Sequence, residues 1–239
     1  MAFVGEQPMA GIVYIHGGPN AQFTHGWYPF LHHLALNRIA VIAPNFRGST
    51  GYGRAFMDAN RYDWGGAVVG DWLAAAAWLR HSLGVSRERV GVYGRSYGGY
   101  ATMLLMGKEP ETFHAGVCHA GLYDFTEFFE ITFVPNLMSR SMGLPFYNRR
   151  INEEQSPLRY FESIRNPILI TQGELDLGTP AKDAERTVSR LRALGKDVMY
   201  AFYPGEAHDI IRPEHILDVA NRITEFFAQH LVRKRAPDH

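Results

Sequence analysis

At 239 residues the chain suits one α/β domain with a substantial buried core and is short for two. Its 24 Lys and Arg balance 24 Asp and Glu, so no global field argues for nucleic acid or for an acidic membrane surface. The single cysteine, Cys118, excludes an internal disulfide and a cysteine-built zinc site, and no apolar run approaches the roughly 18 residues of a membrane span. The expectation is a cytoplasmic protein without metal or cofactor and without a nucleic-acid or membrane partner.

In chain order, residues 11–15 are β-prone and empty into His16-Gly17-Gly18-Pro19, a glycine-rich loop. Residues 27–36 carry apolar side chains at helical spacing, and residues 39–43 read as a second buried strand stopped by Pro44. The loop 45–53 comes next. Its Gly48, Gly51 and Gly53 fit a degenerate dinucleotide pattern, but no helix follows where a dinucleotide would need one. Residues 71–83 form the clearest helix, rich in alanine and stopped by Gly84. An apolar strand then runs into Gly94-Arg95-Ser96-Tyr97-Gly98, and a helical pattern leaves it at 101–106. Strands are predicted over 116–120, 168–171 and 198–202, with a helix over 181–194 and a last helix over 214–231 whose buried stripe is Ile216, Leu217, Val219, Ile223, Phe226 and Phe227. Residues 125–134 are strongly aromatic, and 135–157 are expected as loop or short helices.

Strands alternating with helices imply a three-layer α/β architecture, a mostly parallel sheet with helices on both faces. Ligands of such sheets bind at the carboxyl ends of the strands. His16, Asn45, Ser96, Asp176 and His208 each follow an apolar strand run, so they should gather along one edge.

The chemistry starts from Ser96. Gly94-Arg95-Ser96-Tyr97-Gly98 is a G-x-S-x-G string placed between a strand and a helix, the context in which that string forms a strained elbow exposing its serine. A serine hydroxyl needs a base to take its proton and a carboxylate to orient the base. Asp176 and His208 follow the next strands in the order serine, acid, histidine. Glu174 and Glu206 are rival acids, and Asp209 is a poorer one because side chains adjacent in sequence diverge. An oxyanion needs donors aimed at it: the amide of Tyr97, after the nucleophile, and an amide of the glycine loop, for which Gly18 is chosen, with Tyr52 a candidate phenolic donor. His32 and His33 diverge around their helix and cannot chelate one ion together, and His208 with His215 lacks a carboxylate cluster at ligand spacing. The aromatic residues Tyr123, Phe125, Phe128, Phe129 and Phe133 read first as core and second as a substrate pocket.

These residues resemble the peptidase domain, an α/β-hydrolase, of the prolyl oligopeptidase family, closest to its acylaminoacyl-peptidase and dipeptidyl-peptidase-like branch. The resemblance rests on His16-Gly17-Gly18-Pro19, the loop from Asn45 to Gly53, Trp64-Gly65-Gly66, Asp71, the elbow through Tyr100, Ser156-Pro157, the run Gly173-Glu174-Leu175-Asp176, and Tyr203 to His208. It implies Ser96 as nucleophile, Asp176 as acid, His208 as base, and Tyr97 with Gly18 as oxyanion donors, acting on short peptides or acyl-peptides. Two departures are visible. Family peptidases often carry arginine two residues after the acid, where this chain has Gly178. The family also usually precedes this domain with a β-propeller, for which the chain has no room, and the first two strands of the hydrolase sheet are expected to be missing. Residues 39–43 should then lie at an uncovered sheet edge, able to recruit a second copy of the chain unless residues 1–10 cover it. The competing functions are a carboxylesterase acting on small esters with the same triad, and a non-catalytic fragment or binding module.

Overall fold

The computed structural model describes residues 1–125, 135–144 and 147–233. Strand residues alternate between two apolar faces. Val13, Val92, Cys118, Ile168 and Ile170 point into one core, while Ile12, Tyr93, Val117 and Leu169 point into another. This burial of both faces is what a parallel sheet requires. Among the described residues the sheet has seven strands, β1 (Ala2–Phe3), β2 (Ala10–Ile15), β3 (Ile39–Ile42), β4 (Val90–Arg95), β5 (Gly116–His119), β6 (Ile168–Gly173) and β7 (Val198–Tyr203). Their order is β1-β3-β2-β4-β5-β6-β7, and each pairing is parallel except the antiparallel one between β1 and β3.

The helices are α1 (Pro29–Leu36), α2 (Arg54–Asp58), α3 (Val68–Leu83), α4 (Tyr97–Lys108), α5 (Pro135–Met142), α6 (Arg149–Gln155), α7 (Ala181–Ala193) and α8 (Pro213–Phe227). Residues of α3, α4 and α7 share one core with the sheet, and those of α1 and α8 share the other. Helix α4 is buried from Tyr97 to Gly107, so it shows no amphipathic stripe. No helix among the described residues is long and apolar enough to cross a membrane.

One open expectation is resolved and two others change. Strand β3 is not an open edge: Ala2 and Phe3 pair with Ile42 and Val41, and the Ala43 amide donates to the Met1 carbonyl at 2.8 Å. Residues 1–10 therefore supply the cover, through a two-residue strand too short to show a period. The buried stripe of the last helix is half as long as expected. Ile223, Phe226 and Phe227 are buried and Val219 is partly buried on the same core, whereas Ile216 and Leu217 are exposed on the first turns of α8, where His215 and Asp218 instead meet Tyr203 at the end of β7. Helix α3 begins one turn earlier than predicted, at Val68, and ends as expected on Gly84, whose φ of 67° closes it in the left-handed region.

The crossing of β4 and α4 leaves no room for side chains. A Cβ on Gly98 would collide with the Ile15 carbonyl oxygen, and one on Gly94 with the Gly98 carbonyl, each at well under 3.0 Å. Gly98→Ala is expected to destabilise the fold by about 1–3 kcal/mol or more, because backbone cannot yield as a flexible side chain would. Urea unfolding of the variant against the parent checks this.

Candidate active site

Strand β4 delivers the chain into α4 through Ser96, which sits at φ 59°, ψ −119°. A non-glycine residue rarely adopts that conformation, and it is held here by backbone bonds on both sides: Ser96 N–H donates to the His119 carbonyl at 2.9 Å and Tyr100 N–H to the Ser96 carbonyl at 3.0 Å. Tyr97 opens α4, where backbone amides have no partner within the helix and the helix dipole is positive. Across from it, a Cβ built on Gly17 would lie 3.4 Å from the Ser96 Cβ and 4.0 Å from its Oγ. The glycine loop thus lies against the serine, with Gly18 at φ 126° and exposed.

His16 fixes that loop. Its Nδ1 donates to the Gly17 carbonyl at 2.8 Å, so its Nε2 accepts from the Ser49 hydroxyl at 2.9 Å. The ring stacks on Phe46 at 4.3 Å, and Phe46 stacks on Tyr97 at 5.7 Å. Burial lowers the His16 pKa, partly offset by the bond to Gly17, and the ring is neutral at physiological pH. Ser49 is itself placed by the loop 45–53, which Asp71 anchors by accepting from the Arg47 amide, Nε and Nη2 at 2.9, 2.8 and 2.7 Å. Tyr52 stands on the same loop, largely exposed, its hydroxyl accepting from Asn45 Nδ2 at 2.8 Å.

Asp176 and His208 meet. His208 Nδ1 donates to Asp176 Oδ2 at 2.7 Å, which leaves Nε2 as the ring nitrogen free of that carboxylate. Asp176 is buried, and its other contacts are donors too: the Gly178 and Thr179 amides to Oδ1 at 2.9 and 2.8 Å, and Thr179 Oγ1 and Gln172 Nε2 to Oδ2 at 2.7 and 3.2 Å. Burial would raise this carboxyl, but the bonds from His208 and Thr179 outweigh it and hold it below the usual range, so it stays an anion. Sequence reasoning did not single out Gln172 or Thr179. The Asp-x-Gly-Thr run was the available signal, since an aspartate commonly accepts from amides two and three residues on.

The rival acids have other occupations. Glu206 is buried and accepts from the Ile211 and Arg212 amides at 3.0 and 3.1 Å and from His215 Nδ1 at 2.7 Å. It therefore braces the two ends of the loop that carries His208. Glu174 accepts from the Gly205 amide at 2.8 Å, and Asp209 pairs with Arg95. His32 Nδ1 donates to the Tyr28 carbonyl at 2.7 Å. Of the aromatic run, Tyr123 and Phe125 are buried core, tied down where Tyr123 N–H donates to Asp183 Oδ2 at 2.9 Å and Phe125 N–H to Ser156 Oγ at 3.3 Å. Phe128, Phe129 and Phe133 lie outside the described residues.

A sheet of this order with a serine elbow after a central strand, and with an acid and a histidine after the later ones, is an α/β-hydrolase domain. Residues 31–234 match the model of the prolyl oligopeptidase family, and the chain belongs to that family. It is 31% identical to dipeptidyl aminopeptidase BIII of Pseudoxanthomonas mexicana over 97% of its own length and 34% of that protein. It is 26% identical to the human acylamino-acid-releasing enzyme, over 85% of this chain and 29% of that one. Among solved structures, the Pyrococcus horikoshii acylaminoacyl peptidase superposes with a TM-score of 0.90 at 24% identity, covering 100% of this chain and 40% of that one. A Mycobacterium tuberculosis puromycin-hydrolyzing peptidase superposes with a TM-score of 0.86 at 29% identity, covering 94% and 35%. The chain thus spans about a third of the length of the curated relatives it matches.

Two histidines give the site an acid limit. His119, at the end of β5 and bonded to Thr171 Oγ1 at 2.7 Å, is pushed down to about 3 by burial first and by the Arg95 charge second. His16 is lowered as well. In the unfolded chain both return to about 6.5, so the unfolded state binds protons first as pH falls. Their stabilising contribution is full above about pH 6.5 and is lost on acidification, by at most about 1.4 kcal/mol per pH unit for each ring. Urea unfolding at several values between about pH 7 and about pH 5 should show this slope, and His119→Gln should flatten it.

Proposed function

We propose that the chain is a serine hydrolase that cleaves short peptides or acyl-peptides through an acyl-enzyme. Ser96 is the nucleophile, His208 the base, Asp176 the group that orients the base, and the amides of Tyr97 and Gly18 the oxyanion donors. The observation that carries this reading is the 2.7 Å contact of His208 with a buried Asp176, at the carboxyl ends of the strands, the end at which Ser96 is held in a strained turn. In the reaction, Ser96 Oγ attacks the substrate carbonyl carbon and its proton passes to His208 Nε2. Collapse of the tetrahedral intermediate breaks the carbon–nitrogen bond, and the amine leaves with that proton. Water, deprotonated by His208, then attacks the acyl-serine; the bond between the acyl carbon and Ser96 Oγ breaks, the proton passes from His208 to Oγ, and the product acid leaves. The family, and relatives named for dipeptide release and for acylamino-acid release, support short substrates cut near the N-terminus.

A carboxylesterase is the second reading, and Gly178 favours it, because no side chain stands there to hold a peptide carbonyl. Turnover of aminoacyl p-nitroanilides alongside p-nitrophenyl esters separates the two; ester hydrolysis without amide hydrolysis would rule out peptidase action. A fluorophosphonate probe should label Ser96 and spare Ser96→Ala. If folded protein stays unlabelled, the chain is a binding module and the enzyme reading fails. Asp176→Asn should keep the geometry but mis-set the His208 tautomer, lowering kcat by roughly 10⁴-fold if the serine-protease pattern holds. Wild-type turnover in that variant would move the acid elsewhere.

A further inference from the structure

Arg95 fills the variable position before the nucleophile, and its side chain crosses to the loop of the base. Its Nη2 donates to the His208 carbonyl oxygen at 3.1 Å and pairs with the Asp209 carboxylate. The register sets this direction. Arg95 lies opposite His119, and His119 opposite Thr171, in one row across β4, β5 and β6 on the face shared with Tyr93 and Val117. That row lies beneath the turn between β7 and α8. The guanidinium is the cation of the row, since His119 beside it is neutral. Its Nε is buried and has no hydrogen-bond partner among the described residues. An orphaned buried donor costs stability, and the favourable contacts of the group are those of Nη2.

We infer that Arg95 is a positioning residue for the base: it fixes the His208 backbone relative to Ser96, while Asp176 fixes the ring. The inference rests on the reading of Ser96 and His208 as nucleophile and base. The loop 206–212 is otherwise held at its ends by Glu206 and at the imidazole by Asp176. Arg95 supplies the tie at the middle of the backbone, from the residue adjoining the nucleophile. Losing that tie lets Nε2 drift from the hydroxyl, and a misplacement of about 1 Å can cost about 100-fold in rate. Asp209, a poor orienter of its neighbour, gains a role as counter-charge to Arg95.

The test uses the whole chain, with active sites counted by fluorophosphonate titration so that misfolded protein does not count as slow protein. Arg95→Met should lower kcat per titrated site by about 10–100-fold and leave KM within about twofold. Amide hydrogen exchange at residues 206–212 should accelerate. Added guanidinium ion at millimolar level should recover part of kcat, because the Arg95 side chain is 35% exposed and the vacated space opens to solvent. Arg95→Lys, which keeps a charged donor, should lose less, and it serves if the methionine variant does not fold. A wild-type kcat per site in Arg95→Met would overturn the inference, as would a loss that guanidinium does not relieve while exchange at 206–212 is unchanged. If the wild type neither labels nor turns over, the proposed function fails by itself, and unaltered exchange in Arg95→Met then separately refutes the tie.

Discussion

A Cβ on Gly98 would collide with the Ile15 carbonyl at the end of β2, and one on Gly94 with the Gly98 carbonyl, so helix α4 meets strands β2 and β4 at backbone contact distance. Only a sharp turn joins two elements that close, and the turn residue must take a left-handed φ. Ser96 carries that strain at φ 59°. The layout of the site depends on this crossing. The glycine loop after β2 lies on the serine, α4 begins one residue later with its amides open, and Arg95 is directed away along the other face of the sheet. The burial of α4 on all sides makes the crossing rigid enough to bear the cost.

Around that point the charges are sorted with little ambiguity. One carboxylate, Asp176, is kept ionised by hydrogen bonds despite burial, and two histidines, His16 and His119, are kept neutral by burial. His16 and His119 support the glycine loop and the floor of the site as uncharged rings. The carboxylates that sequence reasoning placed in competition with Asp176 are engaged instead in holding loops: Glu206 across the histidine loop, Glu174 at the Gly205 turn, and Asp209 at Arg95. A site with several acids nearby thereby presents one of them to the imidazole.

The sheet and the candidate residues were largely legible because each is encoded locally. Ile12 and Val13, or Leu169 and Ile170, are apolar on both faces of their strands, and Gly94 and Gly98 sit at a strand-to-helix passage where a Cβ would collide with backbone. Strand β1 was not legible as structure, since two residues have no period and their pairing is set by β3, almost 40 positions away. The exposure of Ile216 and Leu217 was misread for a related reason: helical spacing marks an apolar face but does not say which of its turns a neighbouring element covers. The contact from Arg95 to His208 spans 113 positions and joins residues that no motif pairs, so only coordinates bring it out. The side-chain bonds that sustain Asp176, from Thr179 Oγ1 and Gln172 Nε2, were not singled out, although the Asp-x-Gly-Thr run signals the amide bonds beside them.

Gly178 has a last consequence. A methyl group there would stand 3.5 Å from Asp176 Oδ1 and 3.8 Å from His208 Nδ1, ordinary contact distances, and the backbone at this glycine is not in the left-handed region. Alanine there therefore meets neither steric nor conformational resistance, although its methyl lies beside Asp176 and His208. A side chain begun at this position would start between the carboxylate of Asp176 and the imidazole of His208 with its first carbon displacing neither.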